Sequence, residues 1–322
     1  MPSSHNTPLL LCTGCLNLDI SARLNAPPAA DSRLMTTGFQ RSLGGMTANV
    51  ACAAVAVSAA QAVQVKLLAP CGRDSEGDWL CQQLTQKGID ISWLDRSSST
   101  KTHHCLILVQ ADGRRMIVSE PTRLDLQQLR SALVRLVDYP GPRLLYLDGF
   151  HASRAQEYAH SARQQGWRTA MDMDELEPAL QTPKALRQLI QHAFELVFMN
   201  QSCASTLAES DAQRDWLALL EPLCATTGST ILLTLGAQGA LLLTPDRPAL
   251  PIPAPAVQAV DTTGAGDICA GTFLANWGRG LSAVQAARRA CVAASLSTTG
   301  LGALGYIPDA ATIEHALNQL EN

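Results

Sequence analysis

Aromatic residues make up only 4% of this 322-residue chain and charged residues only 16%. So few rings leave little for stacking on nucleobases. The charges that are present nearly balance, at a formal net −4, so no basic field exists to hold nucleic acid or anionic lipid. No apolar run approaches the length of a bilayer span. The opening stretch Met1–Gly14 has no basic region ahead of its short apolar run, as a signal peptide would. These absences predict a cytoplasmic protein with neither nucleic acid nor membrane as partner. Internal repeats, low-complexity tracts and long linkers are also missing.

What is present is aliphatic. Hydrophobic residues reach 47%, mostly Ala, Leu and Val, which suits parallel strands covered by helices. The ten cysteines lie scattered through apolar segments such as those around Cys52, Cys105 and Cys291, and read as reduced core residues. The length suits one large α/β domain with an appendage. Short apolar runs at 9–13, 63–69, 143–147, 168–171, 196–199 and 231–234 read as buried strands. Helical patterns at 48–60, 75–87, 126–137, 154–165, 183–192 and 282–297 lie between and after them. That alternation predicts right-handed crossovers and a mainly parallel sheet. Two stretches leave the alternation. Residues 20–42 form a Pro-containing excursion, and 102–119 reads as a hairpin turning at Ala111-Asp112-Gly113.

The most informative stretch is Val260–Ala275, VDTTGAGDICAGTFLA. Gly264 and Gly266 let backbone amides approach a ligand, and the unpaired amides of a helix's first turn favour an anion, most simply a phosphate. Asp267, at the same helix start, would lie beside that anion with its carboxylate placed to take a proton from an attacking hydroxyl. Thr262 or Thr263 as a cap and Asp267 as a first-turn acid would fit many ordinary helix starts. Two further clusters flank strands. Asn17 and Asp19 follow the first strand, where an amide and a carboxylate can hold hydroxyls. Gly44 and Gly45 precede an Ala-rich helix whose first turn carries Asn49.

The string Asp-Thr-Thr-Gly-Ala-Gly-Asp closely resembles the C-terminal motif of the ribokinase-like (PfkB) carbohydrate kinases. Leu43-Gly44-Gly45-Met46-Thr47-Ala48-Asn49 resembles their N-terminal motif, and weaker matches run from about residue 9 to 309. The resemblance implies a three-layer α/β sandwich with a mainly parallel central sheet and a small β-sheet lid: a single domain over 1–322 with lid segments at about 20–42 and 100–120. It further implies an ATP-dependent sugar kinase acting on a primary hydroxyl. Asp267 would be the base, and Gly264, Ala265 and Gly266 would complete the anion hole. The sugar would contact Asn17, Asp19, Gly44, Gly45, Asn49 and Asp148. The nucleotide would contact Asn200, Thr234, Gly236, Gly239, Gly264 and Gly266. Magnesium is implied, as is potassium near Asp261, Thr263 and the 298–303 segment, together with a homodimer formed through the lid. One departure stands out: after Asn200 the family usually has Asn-x-x-Glu, and here the fourth position is Cys203, a thiol unsuited to a hard ion. A nucleoside kinase of the same fold and a catalytically silent sugar-binding protein are the rival readings.

Overall fold

The computed structural model describes residues 7–26, 29–31, 33–58, 62–110 and 115–320. The chain opens with β1 (Leu9–Thr13), β2 (Asn17–Leu24), β3 (Phe39–Gly44), α1 (Met46–Ala56), β4 (Gln64–Leu68) and α2 (Ser75–Gln86). There follow β5 (His103–Gln110), β6 (Arg115–Ser119), α3 (Leu126–Arg135), β7 (Arg143–Leu147), α4 (Gly149–Gln164) and β8 (Arg168–Asp172). Next come α5 (Pro183–Ala193), β9 (Leu196–Asn200), α6 (Gln201–Ala208), α7 (Gln213–Thr227), β10 (Thr230–Thr234), β11 (Ala240–Thr244) and β12 (Arg247–Ile252). Helices α8 (Ala265–Gly278), α9 (Ala283–Ser297) and α10 (Ala310–Leu320) close the described chain.

Eight strands form the central sheet in the order β12-β11-β10-β9-β8-β7-β1-β4. The six from β10 to β4 are parallel, and β11 and β12 are added antiparallel. Strand periodicity sorts the core into two layers. Leu10 and Cys12 of β1 pack with α1, α8 and α9 on one face, while Leu9 and Leu11 pack with α3, α4 and α5 on the other. The architecture is therefore a three-layer α/β sandwich. Helix α8 is buried on all sides from Ile268 to Gly278, as expected of a helix that is apolar around its whole circumference. That burial fixes where its N-terminus points.

A second sheet, in the order β3-β2-β5-β6, stands apart from the first. Its outer pairs are antiparallel, but β2 and β5 run parallel, from Asn17 beside His103 to Leu24 beside Gln110. The expected hairpin is present as β5 and β6, although its Asp-Gly turn lies outside the described residues, as does Pro27-Pro28. Helix α4 begins at Gly149 rather than Arg154, because Asp148 caps it by accepting from the His151 amide. Helices α6 and α7 and strand β12 are elements that the sequence reading did not include.

Candidate active site

Four segments distant in sequence meet where the parallel strands end, the edge at which open α/β sheets bind ligands. The decisive contact joins the two glycine motifs. Asn49 Nδ2, in the first turn of α1, donates to Asp267 Oδ2 in the first turn of α8 at 2.8 Å, across 218 residues. Asn49 is 5% exposed, and its other side-chain atom, Oδ1, is buried without a hydrogen-bond partner.

Gly264 is the N-cap of α8 and adopts φ +74°, a left-handed conformation that only glycine takes without strain. A Cβ there would also stand 2.7 Å from that of Ala303. No side chain caps this helix. The Ala265 amide turns back to the Thr262 carbonyl at 3.3 Å, so Gly266 and Asp267 carry the first-turn amides best placed for an anion. Burial raises the Asp267 carboxyl well above the usual carboxylate range. Asn49 opposes that shift, and the charges of Asp172, Asp174 and Asp19 add to it.

On the small sheet, Asp19 lies on β2 at 7% exposure, and burial lifts its carboxyl to about 7. Gly44 is required beside it, since a Cβ at that position would stand 2.0 Å from Asp19 Oδ2. Asn17 pairs in register with Gly44 on one side and His103 on the other, and its Oδ1 is buried and unpartnered. A cavity of about 480 Å3 opens from Asp19 and extends past Ser21, Phe39 and Trp79 to Asp261 and Thr263.

Asp148, expected to contact the sugar, is fully buried and engaged elsewhere. Its Oδ2 accepts from the Cys15 amide (2.6 Å) and Thr47 Oγ1 (3.0 Å), and its Oδ1 from the His151 amide (3.1 Å) and Nδ1 (2.7 Å). Burial alone would raise this carboxyl, but His151 and the Cys15 amide hold it below the ordinary value, and Asp148 in turn raises His151. Asp148 thereby ties the β1–β2 turn and the start of α1 to α4, a positioning task rather than an open ligand contact. Sequence reasoning missed Thr47 and His151. The Asp-x-x-His spacing at a helix start was the available signal.

On the other side of the α8 N-terminus a cavity of about 350 Å3 is lined by Thr234, Gly236, Gly239, Gly266 and Thr298 among small apolar residues. Asn200 is occupied otherwise. Its Oδ1 caps α6 by accepting from the Cys203 amide at 2.9 Å, and its Nδ2 donates to Asp174 Oδ1 at 3.3 Å. Cys203 Sγ lies 3.7 Å from the Met173 carbonyl, and burial pushes its thiol up to about 12, so it stays neutral. The acids here are Asp172, lifted by burial to about 7, and exposed Asp174, whose amide donates to Asp172 Oδ1 at 2.7 Å.

Asp261 accepts three hydrogen bonds from the protein. Its Oδ1 accepts from the Thr263 amide (2.9 Å) and Oγ1 (2.6 Å), and its Oδ2 from the Gly302 amide (2.9 Å). Arg115, at the start of β6, was not singled out from sequence. Its Nη1 donates to Thr263 Oγ1 at 3.1 Å and Thr262 Oγ1 at 3.5 Å.

A helix N-terminus open to an anion, a carboxylate beside it and two adjoining cavities define the layout of a phosphotransferase site. Comparison with known proteins agrees. The family described as pfkB family carbohydrate kinase matches residues 8–310, and the chain belongs to that family. Among curated relatives, the probable fructokinase-5 of Arabidopsis thaliana is 25% identical over 94% of this chain and 95% of its own. The ribokinase of Bacillus subtilis is 26% identical over 95% and 98%. Among solved structures, Arabidopsis thaliana ribokinase complexed with ribose and ATP superposes with a TM-score of 0.79 at 20% identity, covering 97% of this chain and 99% of that one.

Proposed function

We propose that this protein is an ATP-dependent kinase that transfers the γ-phosphoryl group to a primary hydroxyl of a small carbohydrate. The observation that carries this reading is the Asn49–Asp267 hydrogen bond, which brings the two glycine motifs to one helix N-terminus between the two cavities. ATP would lie in the 350 Å3 cavity with its terminal phosphate toward the amides of Gly266 and Asp267. The sugar would enter from the Asp19 side, its hydroxyls held by Asp19, Asn17 and the Gly44-Gly45 backbone, with Asn49 fixing the orientation of Asp267. Asp267 takes the hydroxyl proton as the new O–P bond forms and the bond to ADP breaks. Loss of charge from a buried carboxylate favours that transfer.

Asp172 and Asp174, whose charges bear on Asp267, carry the hard oxygen donors that a magnesium ion keeping most of its waters takes, while neutral Cys203 takes no part. When bound, magnesium would neutralise phosphate charge. Potassium, if bound, would sit against the carbonyls of the 298–303 segment. The small sheet, with Asp19 and Arg115 on it, would act as the lid. We further propose that two copies pair through its outer face. Phe39, Ala22, Leu108 and Met116 form one row in register across that face, beside Ile20, Leu106 and Val118. Phe39 (67%), Met116 (45%) and Val118 (56%) are exposed there.

A nucleoside acceptor is the second reading, because Trp79 lines the cavity beside Asp19 and could stack a base. A coupled ADP-release screen over free pentoses, hexoses and nucleosides, with identification of the product, tests both. Turnover of a sugar supports the first reading, turnover confined to nucleosides supports the second, and no turnover anywhere leaves the silent binding protein.

A further inference from the structure

Burial raises the thiols of Cys12, Cys52 and Cys224, as befits reduced core residues. Cys81, in the middle of α2, is placed differently. Its Sγ lies 3.9 Å from that of Cys71, in the loop between β4 and α2, and Arg96 Nη1 donates to the same Cys81 sulfur at 3.3 Å. A hydrogen bond with Cys71 and the charge of Arg96 lower the Cys81 thiol to about 7, against burial and the charge of Asp78. Cys71 is raised in turn, first by its hydrogen bond with Cys81 and then by burial. The Arg96 side chain is 27% exposed, so the contact between guanidinium and sulfur lies at the edge of the core. Its Nη2 is held independently, by the Gly72 carbonyl at 2.6 Å and Asp78 Oδ1 at 2.7 Å, so Arg96 keeps its partners when Cys81 loses its charge. A thiolate beside a cation, with a second thiol in contact, is the arrangement that peroxides convert to a disulfide.

We propose that Cys81 is a site of reversible oxidation with Cys71 as its resolving thiol, that hydrogen peroxide joins the two in a disulfide, and that this bond weakens acceptor binding. The Cys81 thiolate attacks one peroxide oxygen: an S–O bond forms, the O–O bond breaks and the departing oxygen leaves as water once protonated. The Cys71 sulfur then attacks the sulfenic sulfur while its proton passes to the departing hydroxyl, so the S–S bond forms and a second water leaves. The two thiols together give up two electrons and two protons, and one hydrogen peroxide becomes two waters.

The disulfide requires the sulfurs to close from 3.9 Å to about 2 Å. Cys71 is tethered through its amide to the Asp95 carbonyl at 2.9 Å, so that approach draws on α2. At about 100° per residue, Trp79 and Gln83 stand on the face of α2 opposite Cys81, and both line the 480 Å3 cavity that opens from Asp19. Movement of α2 toward Cys71 therefore withdraws Trp79 and Gln83 from that cavity. The effect on the acceptor, unlike the disulfide itself, rests on the kinase reading above.

The test treats the full-length wild type, Cys71→Ala and Cys81→Ala with a few equivalents of hydrogen peroxide, caps the remaining thiols and maps the peptides by mass. In wild type the first disulfide should join the Cys71 and Cys81 peptides and be undone by dithiothreitol. Cys71→Ala should stop at a Cys81 sulfenic acid that dimedone captures, and Cys81→Ala should form no disulfide at Cys71. Arg96→Met should slow alkylation of Cys81 at pH 7 by about three- to tenfold, as the thiol moves back toward about 8.5. Oxidised wild type, assayed with the acceptor from the screen, should show a KM for acceptor about tenfold higher, ATP binding changed by no more than about twofold, and full recovery on reduction. Cys81→Ala should lose that response. First oxidation at any other cysteine, or alkylation of Cys81 no faster than that of buried Cys52, overturns the site. A Cys71–Cys81 disulfide that leaves KM for acceptor unchanged overturns its effect on the acceptor. The peptide map needs no acceptor, so a wild type that turns over nothing overturns the kinase reading and the acceptor effect, while the map still decides the oxidation site.

Discussion

Asp19, Asp172 and Asp267 are three carboxyls that burial holds above their ordinary range, the first two at about 7. A carboxyl whose folded pKa exceeds its unfolded value binds more protons folded than unfolded between the two. Its contribution to stability is therefore full below about 4 and is lost as pH rises through about 7. We expect thermal unfolding without ligands to show a Tm that falls between pH 5 and pH 8, and Asp19→Asn to flatten that fall, raising Tm at pH 8 by a few degrees. A wild-type Tm rising across the same window would contradict the burial argument. Asp19→Asn should at the same time weaken the acceptor by about ten- to a hundredfold in kcat/KM, the loss of one or two charge-assisted hydrogen bonds, with ATP binding unchanged. Among residues, Asp19, Asn49 and Asp267 stood out in the sequence as candidates because each lies in or near a motif that holds glycines. The capping of α4 by Asp148 was not legible, because a strand-end acid looks the same in sequence whether it faces a ligand or caps the next helix. Arg115 gave no local signal, since its partner Thr263 lies 148 residues away.

At the scale of elements, the start of α8 separates two roles that glycine can play. Gly264 has φ +74° and no room for a Cβ, whereas a Cβ on Gly266 would meet nothing within 4 Å. Gly264→Ala should therefore lower Tm as well as kcat, with about 1–3 kcal/mol of backbone strain. Gly266→Val should leave Tm nearly unchanged and raise KM for ATP, because its side chain would enter the 350 Å3 cavity. Equal effects on Tm would remove the distinction. The parallel strands were legible because double-sided burial writes them as short unbroken apolar runs such as Leu9–Thr13. Strand β12 was not, because an edge strand reading RPALPI, with two prolines, carries no such pattern. Helix α4 was placed five residues late, at Arg154, whereas Asp148 caps a helix that begins at Gly149.

For the whole molecule, the three-layer order follows from aliphatic strands and one helix apolar on every side. The scarce aromatics are placed accordingly: Tyr146, Phe198, Phe273 and Trp277 form a continuous run inside the core, with successive centroids 6.5, 5.7 and 5.9 Å apart. Among the described residues no helix is long and apolar enough to cross a membrane. The outer face of the small sheet was not legible from composition, because exposed Met116 and Val118 alternate with residues turned the other way and only the paired register assembles them into a patch. If two copies pair there, sedimentation should give a dimer, and Val118→Glu combined with Met116→Glu should give a monomer with an unchanged Tm. A monomeric wild type at tens of micromolar would contradict the pairing.

The central claim, that Asp267 at the joined glycine motifs transfers a proton during phosphorylation of a sugar, is tested most directly by one comparison. Wild type and Asp267→Asn are assayed side by side with ATP, magnesium and the acceptor from the screen, while calorimetry follows ATP and acceptor binding. The account predicts that wild type forms the phosphosugar, that Asp267→Asn is slower by about 10²–10⁴-fold, and that both ligands still bind within a few-fold of wild type. An Asp267→Asn protein with near wild-type kcat would contradict it.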